Sequence, residues 1–223
     1  MFSEISKIPV FKGFKTSEII QLLNTTRYQI REYEPESVIA HTGDNCNNLY
    51  LLISGSIRGE MNNYNDKSIV VSEIHAPDTF AEAFLFANKN KLLINIIATT
   101  HTKILIIYKN DLLQLLNKNI KILNNYLNIT SNRFVIVTEK VKFLMIKTVK
   151  GKLANYILDL EKENKDKLSF SLGKTHEELA ALFGITRPAF TRNLVKMKNE
   201  GLVEIKNKEI KILNREKLLK LLS

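Results

Sequence analysis

The chain has 223 residues and a single cysteine, Cys46. One thiol cannot build an intramolecular disulfide, a Cys-ligated iron–sulfur cluster or a multi-thiolate zinc site, so no iron–sulfur cluster is expected and a reducing compartment fits. Glycine (8) and proline (4) are scarce as well, and 44% of the residues are hydrophobic against 25% charged. These proportions exclude fibrous and disordered classes and describe an ordinary folded chain. Apolar runs are short: none reaches roughly 18 residues, the length that spans a membrane as a helix. The opening MFSEISKIPVFKGF has no basic segment followed by a long apolar one. Neither secretion nor membrane insertion is therefore expected, and the expected location is cytoplasmic.

Acidic residues are in deficit. Lys and Arg number 33 against 23 Asp and Glu, giving a net charge of +10 and an isoelectric point near 9.5. The surplus favours a polyanionic partner, although a Lys-rich solvated surface has the same composition. Residues 151–223 hold 15 basic and 10 acidic side chains, half of the net charge in a third of the length. Charge of one sign is thus concentrated in the C-terminal third.

A chain of this length is expected to hold two modules. After a helical stretch over 16–24, short apolar segments alternate with turn signals across residues 27–108. They run YQIREY, the Glu34-Pro35 turn, SVIAHT, Gly43-Asp44, NLYLLISGSIRGEM, the Asn62-Asn63 and Asn65-Asp66 breaks, SIVVSEI and LLINIIATTHTKILIIY with its Thr-rich bend. Strands this short between such breakers read as an antiparallel sandwich or barrel.

Near Ile120 the apolar period changes from two to seven. Ile120, Leu127, Phe134, Val141 and Thr148 form one set, and Leu123, Thr130, Val137 and Leu144 follow three residues behind. Four heptads of this kind predict a helix of about 30 residues, roughly 45 Å long. It either packs wholly against its own barrel or pairs with a second copy. Its length favours a parallel two-helix seam of Leu123, Leu127, Phe134, Val137, Val141 and Leu144, with Thr130 and Thr148 as its weak positions. Gly151 then opens a further helical segment, GKLANYILDLEKEN, and the charged loop NKDK follows.

The next forty residues, KTHEELAALFGITRPAFTRNLVKMKNEGLVEIKNKEIKIL, predict two helices, a tight turn and a hairpin. Thr175 with Glu178 three residues on forms a capping box. Leu179, Ala180, Leu182 and Phe183 supply an apolar face, and Gly184 ends the helix by accepting a left-handed backbone. Thr186 is placed to cap the second helix, with Pro188 in its first turn where a missing amide hydrogen costs little. Phe190, Leu194 and Met197 are spaced to pack inward, which leaves Arg187, Thr191, Arg192 and Lys196 outward. Gly201 closes this helix, LVEIKNKEIKIL alternates about Asn207-Lys208 as a two-stranded wing, and Asn214 caps the terminal REKLLKLL. Arginine and threonine on the outer N-terminal face of a second helix suit the major groove of double-stranded DNA, where guanidinium donors meet guanine acceptors. Thr175, Thr186, Arg187, Pro188, Thr191, Arg192 and Lys196 are the candidate DNA-contacting residues. Two amphipathic helices joined by a glycine turn also occur in plain bundles; the wing, the basic surplus and the long helix upstream argue against that.

In this order of parts the chain resembles the Crp/Fnr family of bacterial transcription regulators over nearly its whole length. The residues carrying the resemblance are Gly43-Asp44, Leu49-Tyr50, Gly55, Phe80-Ala81-Glu82 and the stretch from Gly184 to Gly201. The resemblance implies an α+β fold: an N-terminal antiparallel β-roll or jelly-roll sensor barrel over 1–117, a long dimerisation helix over 118–148, and a C-terminal winged helix-turn-helix over 149–223. It also implies a homodimer on a palindromic operator, with RNA polymerase as a further partner of an activator. The family's recognition helix reads Arg-Glu-x-x-Ser/Gly-Arg, matched here by Arg187-Pro188-Ala189-Phe190-Thr191-Arg192. Both arginines are kept, and the glutamate that accepts from cytosine is replaced by Pro188.

Members that bind cyclic nucleotides carry Phe-Gly-Glu-Leu followed about ten residues on by Arg-Ser/Thr, the Glu holding the ribose and the Arg neutralising the phosphate. The corresponding effector-pocket residues here are Phe80, Ala81, Glu82, Ala83, Leu92 and Leu93. Leucine where the cation should lie argues against cyclic AMP, with Lys89 and Lys91 as the nearby substitutes. Haem is another effector used in this family, and His41, His75, His101, Met61 and Cys46 are axial ligands by type, with no spacing that selects among them. No cofactor is thereby fixed. The competing classes are a metal-dependent barrel enzyme and a protein-binding adaptor. The four histidines are singletons at 41, 75, 101 and 176, and neither a phosphate-cradling loop nor a nucleophile elbow is present, so no catalytic residues are expected.

Overall fold

A computed structural model describes residues 2–62, 68–164, 167–206 and 209–222. The predicted turns at Asn63, Asn65-Asp66 and Asn207-Lys208, and the Lys165-Asp166 part of the charged loop, lie outside the described residues. The chain divides into two compact units between Val135 and Ile136.

The first unit opens with α1 (Phe2–Ile5), a 3-10 turn at Pro9–Phe11 and α2 (Thr16–Asn24). There follow β1 (Tyr28–Tyr33), β2 (Val38–Ala40), β3 (Asn48–Ser54), β4 (Ser56–Asn62), β5 (Ser68–His75), β6 (Asp78–Phe80), α3 (Glu82–Leu85), β7 (Asn95–Ala98) and β8 (Thr102–Tyr108). α4 (Lys109–Lys118) follows, and α5 (Ile120–Met145) begins in the first unit and ends in the second. The strands form two antiparallel four-stranded sheets, β1-β8-β3-β6 and β2-β7-β4-β5. In the first, Leu51 is opposite Leu105 and Tyr50 opposite Phe80, and β3 buries side chains on both faces because α3 and α4 also pack on it.

Two of the points at which the chain passes from one sheet to the other, between β3 and β4 and between β7 and β8, lie side by side. NLYLLISGSIRGEM is one apolar run in sequence but two strands in space, because Gly55 breaks it with φ +87. A Cβ there would lie 2.5 Å from the His101 carbonyl oxygen and 2.8 Å from Thr102 Cα. Beside it the Thr-rich bend between β7 and β8 is stitched by hydroxyls: Ser56 N donates to Thr100 Oγ1 at 3.0 Å, and Thr102 Oγ1 to the Ser56 carbonyl at 3.1 Å.

Asn119 starts α5, its Oδ1 accepting from the amides of Lys121 and Ile122 at 3.1 Å. Ile122, Tyr126 and Ile129 are buried in the core of the roll, and Asn125 Nδ2 donates to the carbonyls of Val10 and Lys12 at 3.0 and 2.9 Å. One turn on, Arg133 donates to Glu82 Oε1 at 2.9 Å, to Asp78 Oδ2 at 2.9 Å and to the Thr79 carbonyl at 3.0 Å. The helix stops at Met145, three residues short of the predicted Thr148. Thr148 has an extended backbone and caps the next helix, its Oγ1 accepting from Gly151 N at 2.9 Å, so it is not a seam position. α4 was not foreseen as a separate helix.

The second unit contains α6 (Val149–Glu163), β9 (Phe170–Ser171), α7 (His176–Phe183), α8 (Arg187–Asn199), β10 (Val203–Lys206), β11 (Glu209–Ile212) and α9 (Arg215–Lys220). α6 begins two residues before Gly151, and α9 ends two residues before the predicted end of REKLLKLL. The wing has a third strand, in the order β10-β11-β9, because Phe170 pairs with Ile210 and Ser171 with Glu209. Leu153, Ile157, Phe183, Phe190, Leu194, Met197, Val203 and Leu218 fill this core.

Gly55→Ala should cost about 2 to 4 kcal/mol, combining left-handed strain with a clash against backbone, read as a lower urea midpoint at unchanged slope. Arg133→Met should cost about 2 to 4 kcal/mol, since the Glu82 side chain is only 4% exposed while that of Arg133 is 35% exposed. Adding Glu82→Gln should recover part of that loss in the same titration; a double variant no better than Arg133→Met would contradict the pairing.

Candidate nucleic-acid interface and sensor site

The predicted helix-turn-helix is assembled from local interactions, each present in the structure. Thr175 Oγ1 accepts from Glu178 N at 3.2 Å, and Glu178 Oε2 accepts from Thr175 N at 2.7 Å, closing the capping box. That amide, and then the Thr175 hydroxyl, hold the Glu178 carboxyl below the usual carboxylate range. Gly184 takes φ +69, where a side chain would meet no atom within 4 Å, so glycine is required by the backbone and not by space. Thr186 caps α8, its Oγ1 accepting from Ala189 N at 3.4 Å, and Pro188 sits in the first turn.

Phe190, Leu194 and Met197 are buried as predicted, and Phe190 packs on Phe183 with ring centroids 5.8 Å apart. One expectation fails: Leu182 is exposed. It lies about 100° around α7 from Phe183, off the stripe of Leu179, Ala180 and Phe183. Outside the core, Arg187, Pro188, Thr191, Arg192, Val195 and Lys196 line one furrow along α8. Arg187, Thr191, Arg192 and Lys196 are outward as the sequence predicts, and the structure adds Pro188 and Val195 to this face, Val195 being absent from the sequence-based candidates. Its signal was spacing: it stands seven residues after Pro188, two turns along the same face. Thr191 Oγ1 is 3.5 Å from His176 Nδ1, and Asn193 Nδ2 donates to the Ala189 carbonyl at 2.8 Å.

In the first unit Phe80 is buried and stacked on Tyr50 with centroids 5.0 Å apart. Ala81 has φ +59, in the family's glycine position. Glu82 Oε1 is held by Arg133, while Glu82 Oε2 and Thr79 Oγ1 are buried without a hydrogen-bond partner among the described residues. Burial opposes the charge on Arg133, yet Glu82 and then Asp78 hold its pKa above the ordinary value. Tyr126 donates to the Glu82 carbonyl at 3.1 Å, and burial, followed by the Glu82 charge, pushes its phenol up. Ala83 and Leu93 are exposed, whereas Leu92 is buried in the core at 2% exposure. Asp78, Tyr126 and Arg133 were not anticipated; the one sign was an arginine in the middle of a helix otherwise patterned for apolar contact.

The residues capable of binding haem are dispersed in character. His41, His75 and Met61 are exposed, His101 stands 3.6 and 3.7 Å from Glu32 and Glu34, and Cys46 is buried with its Sγ donating to the Ala81 carbonyl at 3.4 Å. Burial pushes the Cys46 thiol up. Among the described residues no group of three or more His, Cys, Asp and Glu is placed to hold a metal, and no helix is long and apolar enough to cross a membrane.

Two family models match the chain in sequence order. The cyclic nucleotide-binding domain covers residues 30–119 and the Crp-like helix-turn-helix domain residues 151–221. The cAMP-activated global transcriptional regulator CRP of Salmonella typhimurium is 24% identical over 186 residues, covering 81% of this chain and 88% of its own. The catabolite activator protein of Thermus thermophilus shares the fold with a TM-score of 0.56, at 21% identity over 96% of this chain and 98% of that one. A transcriptional regulator from Thermotoga maritima is 27% identical with a TM-score of 0.52, covering 58% of this chain and 98% of that one. Roll, long helix and winged helix-turn-helix, each in its place and the two terminal ones matched by family, make this chain a DNA-binding transcription regulator of the Crp/Fnr family.

Proposed function

We propose that the protein works as a homodimer in the cytoplasm, paired through α5, and sets two α8 helices about 34 Å apart into the half-sites of a palindromic operator. The observation carrying this reading is the double face of α5. Its buried stripe, Ile122, Tyr126 and Ile129, belongs to the roll, while Leu127, Phe134, Val137, Val141 and Leu144 stay exposed at heptad spacing, Phe134 at 73% and Leu144 at 70%. An apolar stripe of this length in water is what a partner helix covers. Leu123, which packs partly on the roll, marks where the two stripes converge.

Within each half-site Arg187 and Arg192 are assigned to guanines or adjacent phosphates. Thr191 and Lys196 flank them, and Thr175 and Thr186 stand at helix N-termini, where amide groups favour phosphate oxygens. An activator of this design would add RNA polymerase to its partners. Catalysis plays no part.

The effector is assigned as something other than cyclic AMP. A cyclic-nucleotide phosphate does not fit the residues present: Leu92 belongs to the core, and Arg133, the guanidinium that meets Glu82, is already shared between two carboxylates. Phe80, Ala81, Glu82 and Ala83 remain the proposed sensor segment. The placement of His41, His75, His101, Met61 and Cys46 singles out no haem ligand.

Phe134→Glu with Val137→Lys should turn a dimer into a monomer in sedimentation velocity; a wild-type protein that is monomeric alone and on DNA would defeat the paired-helix model. Arg192→Ala should weaken operator binding by about 1 to 3 kcal/mol and relax preference at one base pair, seen by footprinting. Wild-type affinity should also fall steeply with salt, which a protein-binding adaptor would not show.

A further inference from the structure

We propose that α8 reads its half-site through guanine acceptors and thymine methyl groups, with Pro188 and Val195 as the methyl-contacting residues. The proposal rests on the assignment of α8 to the major groove. Pro188, Thr191, Arg192 and Val195 are spaced three, four and seven residues apart and so share one stripe. With Arg187 and Lys196 they line the furrow along the helix, whose walls are chiefly apolar. Val195 is 48% exposed, although its neighbours Leu194 and Met197 are buried; the core of this unit does not use it.

The chemistry of the lining is one-sided. Guanidinium and ammonium groups only donate, and proline and valine side chains do neither. The one hydroxyl that lines the furrow, Thr191 Oγ1, lies within reach of His176 Nδ1. No carboxylate or carboxamide lines the furrow, and the amide of nearby Asn193 is turned back to its own helix. In the major groove cytosine N4 and adenine N6 are donors and need an acceptor, which this face offers only in the Thr191 hydroxyl. Guanine offers two acceptors, and thymine an acceptor beside its methyl group. Apolar side chains set against amino groups would strip their water without replacing it, whereas a thymine methyl against Pro188 or Val195 removes apolar surface from water on both sides.

The test uses the full-length protein. A randomised duplex is enriched on the wild type, and each thymine of the selected half-site is then replaced singly by deoxyuridine, which deletes only the methyl group. At least one replacement per half-site should weaken binding about three- to fivefold, the value of one buried methyl. Val195→Thr, which exchanges a methyl for a hydroxyl in the same volume, should abolish the effect at one thymine and keep it elsewhere. Pro188→Glu supplies an acceptor and should shift the selected base at its step to cytosine. Thermal melting shows that both variants fold. A selected half-site whose thymines all tolerate deoxyuridine overturns the methyl reading while leaving DNA recognition intact. Failure to enrich any sequence overturns the assignment of α8 to the groove itself.

Discussion

A helix that is apolar on two sides cannot be satisfied by one neighbour, and α5 is such a helix. Its roll-facing stripe runs through Ile122, Tyr126 and Ile129 and, at the same spacing, reaches Arg133. There the stripe changes chemistry, because the roll stops offering apolar surface and offers Asp78 and Glu82 instead. The second stripe continues past this point as exposed apolar side chains, Phe134, Val137, Val141 and Leu144. The other parts follow from this division: Asn119 fixes where the helix begins, and the Thr148 cap fixes the register at which the next helix starts. In the dimer proposed above, a segment bonded through Asp78 and Glu82 to one face of α5 is placed to influence pairing through the other face.

How much of this the residues disclose depends on the range of the interaction involved. The helix-turn-helix was legible almost atom by atom, because a capping box, a left-handed glycine and an N-cap threonine are settled within four residues of chain. The strands were legible as apolar runs between breakers, and Gly55 split the longest run as its conformational freedom allows. Three features escaped. The two-residue β9 is too short to alternate, α4 follows β8 with only a change of period to announce it, and the end of α5 was hidden because Thr148 fits a heptad while serving as a cap. Arg133 was invisible for a different reason: its partners Glu82 and Asp78 lie more than fifty residues earlier, and no local pattern encodes a contact of that range.

The C-terminal unit shows how a stable core and a reading surface are written on the same thirteen residues of α8. Phe190, Leu194 and Met197 point one way and are buried; Arg187, Pro188, Thr191, Arg192, Val195 and Lys196 occupy the other face. Aromatic contacts of Phe183 with Phe143, Tyr156 and Phe190 anchor the inner face. Substitutions on the outer face can therefore change what the helix meets while leaving what holds it in place, and the exchange of the family's glutamate for Pro188 is a substitution of this kind.

Leu92 is different in kind from Pro188. The proposed correspondence sets it in the place of the family's phosphate-binding cation, but its side chain is packed within the roll, with its amide donating to the Asp44 carbonyl and its own carbonyl accepting from Gly43 N. An arginine grafted there would have to leave that core or bury a guanidinium among apolar neighbours, where an unpaired charge is not tolerated. A cation at this position is thus not one exchange away: the side chain here serves the folding of the roll, and replacing it would mean rebuilding the apolar packing around it.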